Sequence, residues 1–427
     1  MPCTALSPPA ALLVRALPLT RLPHWFVGII GRRRPLVKRL RALTQEGGAC
    51  YTTPMFSSVP GIFSRRLWAF AFVFILCLSQ SAGLAQGAPP PDGSSILLTF
   101  TGDCTLGGQE WLRNRDFSFV SHIKRHGYAY PFAQVREFFQ EDDLTVINLE
   151  NVFYDKTTTP AKKNYLFRAP EEFARILPEG SVELAFVANN HIMDYGQAGL
   201  NSTLKALEGQ GVAWFGSNYQ LADTYIYEKE GIRIGFIGSY QSYWYSRKER
   251  FAQQLEALKQ AGCSAIIGII HDGTEYAPRR GKRQMSMARW LVNNGVNLVI
   301  GHHPHVPQGI DILDSATVLY SLGNFSFGGN KDLDISRRPG RRADKALVAR
   351  VALYFDAAGA YAGQQVRLIP VSPSGTAEHN NYQPVILTGQ DALDTLALVQ
   401  ADTDFTLPPY TEGFGALMDY LPAATSP

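Results

Sequence analysis

Three histidines lie within four residues in the segment Gly301-His302-His303-Pro304-His305, directly after the apolar run Val296–Ile300. A short apolar run before a polar cluster is typical of a buried strand. In open α/β sheets, ligand sites lie at the carboxyl ends of the strands. Imidazole binds transition metals well, and a bound metal holds the rings neutral where three protonated rings would repel one another. This segment therefore predicts an α/β fold with a metal site at a strand end.

The rest of the chain alternates strand-like and helix-like patterns, which favours the same fold class. Apolar runs predict strands over 96–101, 144–149, 182–187, 212–215, 225–227, 233–237, 265–270, 296–300, 317–321, 346–355 and 364–370. Helical patterns predict helices over 131–139, 197–208, 251–260 and 284–293. Glu230-Gly231 predicts a hairpin turn between two of the strands. We therefore expect an α/β protein with β-rich stretches in the middle and near the end.

Polar side chains follow several predicted strands at the point where each strand ends. Carboxylates, an amide oxygen and imidazoles form a mixed ligand set that suits Mn, Fe or Zn better than Ca. The candidate metal ligands are Asp103, Glu150, Asn190, His271, His303 and His305. Taken singly, each has an ordinary structural explanation, such as a turn residue or a hydrogen-bonded core histidine. Their shared position favours one or two divalent metal ions, and one carboxylate could bridge a pair of them.

The spacing within the histidine segment predicts which rings share the site. Residues i and i+2 of an extended backbone point to the same face. We therefore expect His303 and His305 to face the metal, and His302 to point the other way and pack against or orient its neighbours.

The formal net charge of +3 is unevenly distributed along the chain. Residues 1–66 hold ten of the 40 Lys and Arg but one of the 37 Asp and Glu, so the remainder has a net charge of −6. This balance argues against the basic surface of a nucleic-acid-binding protein. An anionic polymer would need a local basic stretch. Arg279, Arg280 and Arg283 are the candidates for binding it, with a solvated loop as the alternative.

The N-terminal region has the pattern of an export signal. Arg65-Arg66, the apolar run 67–78 and a small-residue ending at Ala85 match a secretory signal peptide, with an uncleaved membrane anchor as the alternative. Translation is expected to start at Met55, so that 1–54 is a non-native or disordered extension, 55–85 the signal peptide or anchor, and 86–94 a linker. The protein is then exported, and is periplasmic, extracellular or anchored to the outer face of the cytoplasmic membrane.

Several segments together resemble the CapA family, also called poly-γ-glutamate capsule-synthesis or PgsA-like proteins. The segments that carry the resemblance are Thr101-Gly102-Asp103, Asn148-Leu149-Glu150, Ala188-Asn189-Asn190-His191 with Asp194-Tyr195-Gly196, His271 to Glu275-Tyr276, Gly301 to His305, and Tyr320 to Phe325. Their order and spacing match over 95–397, which leaves 398–427 as a C-terminal cap or tail. The resemblance implies a branch of the calcineurin-like metallophosphoesterase superfamily, with a four-layer αββα sandwich and a two-metal site at strand ends.

The same resemblance implies roles for individual residues. Asn190 would be a metal ligand, and His191 would be a general acid or would stabilise an oxyanion. Glu275 would orient His271 from behind. Asn324 would contact the substrate, and the other candidate ligands would complete the metal shell.

Two positions depart from the pattern of the relatives. Cys104-Thr105 follows Asp103, where the superfamily usually carries Asp-x-His. Asp272 stands where CapA relatives usually have Trp. We expect Asp272 to be a solvated loop residue, with an additional metal ligand as the alternative.

The resemblance implies a role in making or exporting poly-γ-glutamate or a related capsule polymer. If the protein is catalytic, the expected chemistry is metal-assisted hydrolysis of a phosphoester or of an amide of the polymer. The alternative is a non-catalytic accessory subunit of a membrane synthase or exporter, which binds the polyanionic polymer in the cleft at the strand ends. A Ser/His hydrolase is disfavoured because the sequence has no Gly-x-Ser-x-Gly elbow. Nucleic acid is not an expected partner.

Overall fold

The structure is a computed structural model, and it describes residues 89–90, 92–218, 222–329, 342–374 and 380–424. The predicted extension (1–54), the predicted signal peptide or anchor (55–85) and part of the predicted linker lie outside the described residues. Within the described ranges, no helix has both the length and the apolar character needed to cross a membrane.

The described residues form twenty strands, and each strand predicted from the sequence overlaps one of them. The first ten are β1 (Ser94–Thr105), β2 (Leu144–Leu149), β3 (Val152–Phe153), β4 (Arg168–Ala169), β5 (Leu184–Phe186), β6 (Ala213–Ser217), β7 (Ala222–Asp223), β8 (Tyr225–Lys229), β9 (Ile232–Tyr240) and β10 (Ala265–His271). The others are β11 (Leu298–His302), β12 (Ile310–Leu313), β13 (Ala316–Leu319), β14 (Asn324–Phe327), β15 (Ala346–Phe355), β16 (Tyr361–Ser372), β17 (Val385–Ile386), β18 (Tyr410–Thr411), β19 (Gly415–Leu417) and β20 (Leu421–Pro422).

Eight α-helices lie between these strands in the described part of the chain. They are α1 (Phe119–His126), α2 (Arg136–Phe139), α3 (Ile176–Glu179), α4 (Gly196–Gly209), α5 (Gln241–Ser246), α6 (Lys248–Gln260), α7 (Lys282–Asn293) and α8 (Gly389–Gln400). The predicted helices over 197–208, 251–260 and 284–293 are found as α4, α6 and α7.

The helix predicted over 131–139 is wrong. The chain forms a 3-10 turn at Tyr130–Phe132 and the separate short helix α2, because Val135 has a non-helical backbone (φ −124°, ψ −3°) between them. The break lets both Phe132 and Phe139 pack on Phe325, each at a ring separation of 5.9 Å. Tertiary packing of aromatic rings thus overrides the local helical pattern.

Most of the strands form two sheets that share β6, and β3 and β4 form a separate parallel pair. In the first sheet, β1 lies between parallel β2 and antiparallel β15; β5 and β6 extend it on one side and β16 on the other. In the second sheet, β9, β10, β11 and β13 are parallel neighbours, with β8 and β12 antiparallel at the edges. The hairpin predicted at Glu230-Gly231 connects β8 to β9, and both turn residues have positive φ, as a two-residue turn requires.

Three apolar cores separate four layers. Alternate residues of both sheets, such as Val146 of the first and Ile267 of the second, meet in one core between the sheets. The opposite face of the first sheet packs against α1 and α4, with Leu200 among the buried side chains. The opposite face of the second sheet packs against α5, α6 and α7, where Trp244 and Leu291 are buried. The predicted α/β class is confirmed, and the layers follow the order helix, sheet, sheet, helix.

The C-terminal segment adds to the same domain. Helix α8 extends to Gln400, across the boundary expected after Ala397. β19 and β20 pair with β16. Asp402 Oδ2 accepts 2.8 Å hydrogen bonds from the backbone N–H groups of Arg280 and Gly309. Residues 402–424 therefore pack against both the first sheet and the loop that follows β10.

Candidate metal centre

The rows of side chains that face the inter-sheet core end in polar residues at one edge. In β2, β10 and β11 the inward positions are apolar until the last one, which is Asn148, His271 or His302. A β-bulge in β1 after Phe100 shifts the alternation, so that Asp103 pairs with Asn148 and joins the same face. The inward and outward alternation of side chains that forms the core therefore brings four polar side chains together at this edge of the sheets.

These four side chains contact one another directly. Asn148 Nδ2 donates a 2.8 Å hydrogen bond to Asp103 Oδ1 and lies 3.4 Å from His271 Nδ1. His302 Nδ1 lies 3.1 Å from the same Asp103 oxygen. Asn189 Nδ2 donates a 2.9 Å hydrogen bond to Asn148 Oδ1, which fixes the orientation of that amide. The prediction that His302 points away from the site is therefore wrong.

A glycine allows the close approach that places Asp103. β14 runs beside the end of β1, and the Asp103 N–H donates a 2.8 Å hydrogen bond to Gly323 O. A Cβ atom on Gly102 would lie 2.2 Å from that carbonyl oxygen. A side chain at this position would force the strands apart and displace Asp103.

His303 and His305 reach the site by a different backbone from the one predicted. The strand ends at His302, and both residues have positive φ, 97° and 61°. The argument from extended backbone is therefore wrong, although both rings face the site. Asp103 Oδ2 accepts from the His303 N–H (3.3 Å) and lies 3.0 Å from His305 Nδ1. One carboxylate thus holds a backbone conformation that ordinary residues rarely adopt.

Glu150 is the carboxylate at the centre of the site. It follows β2, where its N–H donates a 2.8 Å hydrogen bond to Cys104 O, and its side chain is fully buried. Among the described residues, neither carboxylate oxygen has a hydrogen-bond partner. Oε1 lies 3.5, 3.9 and 4.0 Å from the Nε2 atoms of His271, His191 and His305. These separations are too long for hydrogen bonds, and the carboxylate has lost its water without gaining a donor.

The spacing around Glu150 fits a metal ion. Two ligands of one tetrahedral ion, each about 2.1 Å from it, lie about 3.4 Å apart. The distances from Glu150 Oε1 to the two predicted imidazole ligands, 3.5 Å to His271 and 4.0 Å to His305, are near that value. Two groups of residues could hold an ion, and they share this carboxylate: Glu150 with His303 and His305, and Asp103 with Glu150 and His271. The structure thus contains residue groups that could hold one or two metal ions.

The electrostatics favour a cation at the same point. Burial and the Asp103 charge raise the pKa of Glu150 well above its usual value. Burial lowers the pKa of His271 well below its usual value and, with the His305 charge, lowers that of His303 to about 4. Burial also acts to lower the pKa of His305, but the charges of Glu150 and Asp103 outweigh it and raise that pKa. His271 and His303 are therefore held neutral, the form in which imidazole binds a metal.

The Asp103 carboxylate is the one anion of this cluster that the surrounding residues stabilise. Burial acts to raise its pKa, but hydrogen bonds from His302 and His305 outweigh burial and hold the pKa well below its usual value. Asp103 is thus ionised and fully paired, whereas Glu150 is buried among groups that do not bond to it.

Asn190 lies at the exposed lip of the site. Its Oδ1 is 2.7 Å from His271 Nε2, the nitrogen that also faces Glu150 and, at 3.1 Å, His303 Nδ1. The structure therefore brings all six predicted metal ligands together around His271 and Glu150.

His191 faces Glu150 from the opposite side of the site and is held by three neighbours. Its Nδ1 lies 2.8 Å from Asp194 Oδ2 and 3.1 Å from Lys163 Nζ, and these two residues also form an ion pair. The ring stacks on Phe167 with a centroid separation of 4.2 Å. Burial lowers the pKa of His191, against the opposing effect of Asp194. His191 Nε2 therefore remains directed at the site.

The predicted partnership between Glu275 and His271 is not found. Glu275 is exposed. The two ring nitrogens of His271 instead face Asn148 on one side and Asn190 and His303 on the other. The amide of Asn148 therefore supplies the orienting contact that was expected from Glu275.

The basic stretch at 279–283 is only partly available to a ligand. The Arg280 guanidinium forms ion pairs with Asp311 (3.1 Å), Asp402 (3.3 Å) and Asp404 (2.7 Å), so its charge is already compensated within the protein, and its role in polymer binding stays a prediction. Arg279 is exposed, and its backbone carbonyl accepts a hydrogen bond from Gln308.

Asp272 is buried, so the expectation of a solvated loop residue is wrong. Its Oδ1 accepts hydrogen bonds from the Gly273 N–H (2.6 Å) and from Arg283 Nη2 (3.3 Å). The Arg283 side chain is 57% exposed, so this ion pair tethers a solvent-facing guanidinium next to His271. Of the three predicted polymer-binding arginines, Arg283 lies beside the metal centre.

Asn324 is buried against the site rather than open to a substrate. Its Oδ1 lies 3.0 Å from His305 Nδ1, and the residue pairs with Asp103 in the register of β14 and β1. It therefore positions His305.

Three residues of the site were assigned no role from the sequence: Asn148, Asp194 and Lys163. A fourth, His302, was expected to orient its neighbours but from outside the site. Asn148 and His302 continue the inward alternation of their strands, so the parity of each apolar run could have identified them. Asp194 and Lys163 lie in loops, where no comparable periodic signal exists.

Comparison with known proteins gives a consistent family. The sequence model for "Bacterial capsule synthesis protein PGA_cap" matches residues 97–329. The chain is 26% identical over 262 residues to the capsule biosynthesis protein CapA of Bacillus anthracis, a match that covers 55% of this chain and 61% of that protein. It is 27% identical over 310 residues to the PGA biosynthesis protein CapA of Bacillus subtilis, covering 68% and 76% respectively.

The name of a third relative gives it a different role. The chain is 25% identical over 209 residues to a probable polyglutamine synthesis accessory protein of Mycobacterium tuberculosis, which covers 43% of this chain and 55% of that protein. The family match spans β1 to the end of β14 and includes every predicted metal ligand. The chain belongs to the CapA family of bacterial capsule synthesis proteins.

Proposed function

We propose that this protein is a divalent-metal-dependent hydrolase that acts in the biosynthesis of a poly-γ-glutamate capsule. The observation that carries the proposal is Glu150, a buried carboxylate with no hydrogen-bond partner among the described residues and with three imidazole nitrogens 3.5 to 4.0 Å away. Such a group is costly to bury unless a cation compensates it. The capsule role is supported by the names of the Bacillus relatives.

The residues proposed to hold the metal are the six predicted from the sequence. Their mixture of carboxylate, amide and imidazole favours Mn, Fe or Zn, as one ion or as two that share Glu150. When bound, such an ion supplies Lewis-acid polarisation of a phosphoryl or carbonyl oxygen and lowers the pKa of water at the site.

The protein's own residues supply positioning and proton transfer. His191 Nε2 faces the site and is proposed to give a proton to the leaving group from the protonated form of the ring, which becomes neutral in that step. Asp194 beside Nδ1 favours the protonated form against the effect of burial and keeps the ring in the productive orientation. The Phe167 stack prevents the ring from rotating away. Arg283, held by Asp272, is proposed to neutralise an anionic group of the substrate.

A non-catalytic accessory role is the second candidate. The Mycobacterium tuberculosis relative is named as an accessory protein, which favours this role. In that case the cleft would bind polymer for a membrane synthase or exporter without cleaving it. The two functions make different predictions for a single set of assays.

Elemental analysis and turnover of the purified full chain test the proposal. We expect at least one equivalent of Mn, Fe or Zn per chain, and Mn²⁺-dependent hydrolysis of a generic phosphodiester or of poly-γ-glutamate. His303→Ala should abolish that turnover, because it removes a predicted ligand. A chain that binds poly-γ-glutamate in EDTA and hydrolyses neither substrate would support the accessory role. A chain that holds no metal would contradict the proposal itself.

Export is proposed from the sequence of 55–85. We expect the mature protein, isolated from cells that express the full reading frame, to begin at Gln86 and to be found outside the cytoplasm. N-terminal sequencing checks this, and a mature protein that keeps residues from 1–54 would contradict it.

A further inference from the structure

A basic cleft lies on α5 and α6, beside the metal centre. It has a volume of about 530 Å³, and its lining includes Tyr245, Arg247, Lys248 and Arg250. This volume is in the range of ordinary ligand sites. Four of the residues that line the cleft are charged: Arg247, Lys248, Glu249 and Arg250.

The topology places this cleft at the same edge of the sheet as the metal centre. β9 and β10 are parallel, and Tyr240 at the end of β9 pairs in register with His271 at the end of β10. Helix α5 begins at the next residue, Gln241, and α6 follows directly at Lys248. The cleft residues therefore emerge beside the strand end that carries a predicted metal ligand.

A continuous row of side chains connects the two sites. Arg283 pairs with Asp272, the residue after His271. Ser286 lies one turn further along α7, and its side chain neighbours the Tyr245 hydroxyl. Tyr245 is 44% exposed and lines the cleft. A ligand that leaves the metal centre past Arg283 would therefore reach Tyr245 and then the cations of α6.

The cations of the cleft have no acidic partner among the described residues. In the described part of the chain, no carboxylate lies within ion-pairing distance of Arg247, Lys248 or Arg250. Lys248 Nζ instead lies over the Trp244 ring at 4.3 Å. Arg280, by contrast, is paired with three aspartates. Three unpaired cations against one acidic residue, Glu249, favour an anionic ligand.

We propose that this cleft binds a linear polycarboxylate and holds the part of the polymer that extends from the metal centre. The identification of that polymer as poly-γ-glutamate rests on the proposed function, whereas the cleft and its charge do not. The cations are distributed over two helices, with Lys248 and Arg250 in α6 and Arg283 in α7, so a chain that carries several carboxylates can contact more of them than a single small anion can. The basic stretch predicted at 279–283 then contributes mainly Arg283.

Binding of poly-γ-glutamate to the full chain in EDTA tests the inference without requiring turnover. The variant carries Arg247→Glu, Lys248→Glu and Arg250→Glu, and a milder variant carries Gln at the same three positions. The matched control carries Arg115→Glu, Lys124→Glu and Lys205→Glu, three exposed cations in the part of the fold that precedes β6, with the same change in net charge. Circular dichroism of each variant verifies folding.

We expect the Glu variant to bind poly-γ-glutamate at least tenfold more weakly in 50 mM salt, and the Gln variant to show a smaller loss. The control should bind within about twofold of the natural chain, and the loss should shrink as salt rises because the contacts are exposed. An unchanged affinity of the Glu variant, or an equal loss in the control, would overturn the inference. So would tighter binding of polyphosphate than of poly-γ-glutamate of equal charge.

Metal content separates this inference from the proposed function. The Glu variant should retain the metal found in the natural chain, because no cleft residue is a predicted ligand. Loss of polymer binding with metal retained supports the cleft. A chain without metal that still loses polymer binding in the Glu variant would overturn the hydrolase and leave the cleft supported.

Discussion

The two ends of the central parallel strands carry carboxylates in different states. At the start of β1 and β2, Asp143 Oδ2 accepts the Leu97 N–H (2.9 Å), Asp143 Oδ1 pairs with Lys229 (2.7 Å), and Glu183 Oε2 accepts the Thr145 N–H (3.0 Å). At the other end of β2, Glu150 is fully buried, and neither of its oxygens has a partner among the described residues.

The difference shows which carboxylates maintain the fold and which are available for chemistry. A carboxylate that caps backbone N–H groups stabilises the start of a strand and has no capacity left for a ligand. A buried carboxylate without a donor lowers stability and is tolerated where a ligand compensates it. We therefore expect substitutions at the two ends to separate metal binding from folding stability.

The largest effect is expected from Glu150→Gln. The amide keeps the shape but loses the negative charge shared by both candidate ligand groups, so metal content should fall below a tenth of an equivalent and turnover by at least about 1,000-fold. In EDTA the variant should be at least as stable as the natural chain, because a buried carboxyl group without a hydrogen-bond partner among the described residues has been removed. Elemental analysis and chemical denaturation measure the two quantities.

Asp143→Asn is the matched control for that experiment, since it makes the same chemical change at the opposite end of the strands. It should retain the metal. Equal metal loss in both variants would contradict the distinction between the two ends.

His191→Gln should sharpen the distinction within the metal centre. His191 is not a predicted ligand, so the metal should remain while turnover falls about 100-fold, the usual contribution of a general acid. The variant should also lose the alkaline limb of the pH–rate profile, because a general acid acts only while it is protonated. His122→Gln, in α1 on the outer face of the first sheet, is the control. Loss of metal from His191→Gln would show that the ring is a ligand instead.

Asp143→Ala tests the opposite end of the strands, where the expected effect is on the free energy of unfolding and not on metal content. It removes the acceptor for the Leu97 N–H and the partner of Lys229, which should lower the free energy of unfolding by about 2 kcal/mol. Metal content per folded chain should not change. Urea denaturation gives the free energy of unfolding, and elemental analysis gives the metal content. A variant that loses metal but keeps its stability would contradict the assignment of Asp143 to the fold.

Much of the fold and of the candidate site could be predicted from the sequence, because apolar runs followed by polar residues indicate both. Apolar runs identified the strands, and the polar residues after them identified the six predicted ligands that the structure brings together. Parallel strands end at a common edge, so residues far apart in the chain meet there without any further information.

The predicted side-chain directions are wrong where the backbone departs from regular strand geometry. His303 and His305 were assigned by strand parity, but both have positive φ, and His302 is the residue that completes the inward row. The bulge before Asp103 is equally invisible in the apolar pattern. Side-chain partners that come from distant loops, such as Asp402 for Arg280, depend on tertiary packing that no local pattern encodes.

The smallest effect is expected from Asp142→Asn, next to Asp143. Burial raises the pKa of Asp142 to about 6, although hydrogen bonds from Thr99 and Thr145 oppose the shift. In the unfolded chain this pKa is about 3.9, so between these values the folded state binds more protons than the unfolded state, and stability falls as the pH rises. Above about pH 6 the ionised carboxylate lowers stability fully, and below about pH 4 it has no effect.

Asp142→Asn should therefore raise the free energy of unfolding by about 1 kcal/mol at pH 7.5, allowing for solvent screening of a partly exposed group, and by nearly nothing at pH 4. The asparagine oxygen can still accept from Thr145 Oγ1, which is 2.7 Å from Asp142 Oδ2. Urea denaturation at the two pH values measures the difference, with exposed Asp116→Asn as the control for net charge. A gain of equal size at both pH values would contradict the prediction, because it would show that the gain does not come from removing an ionised carboxylate.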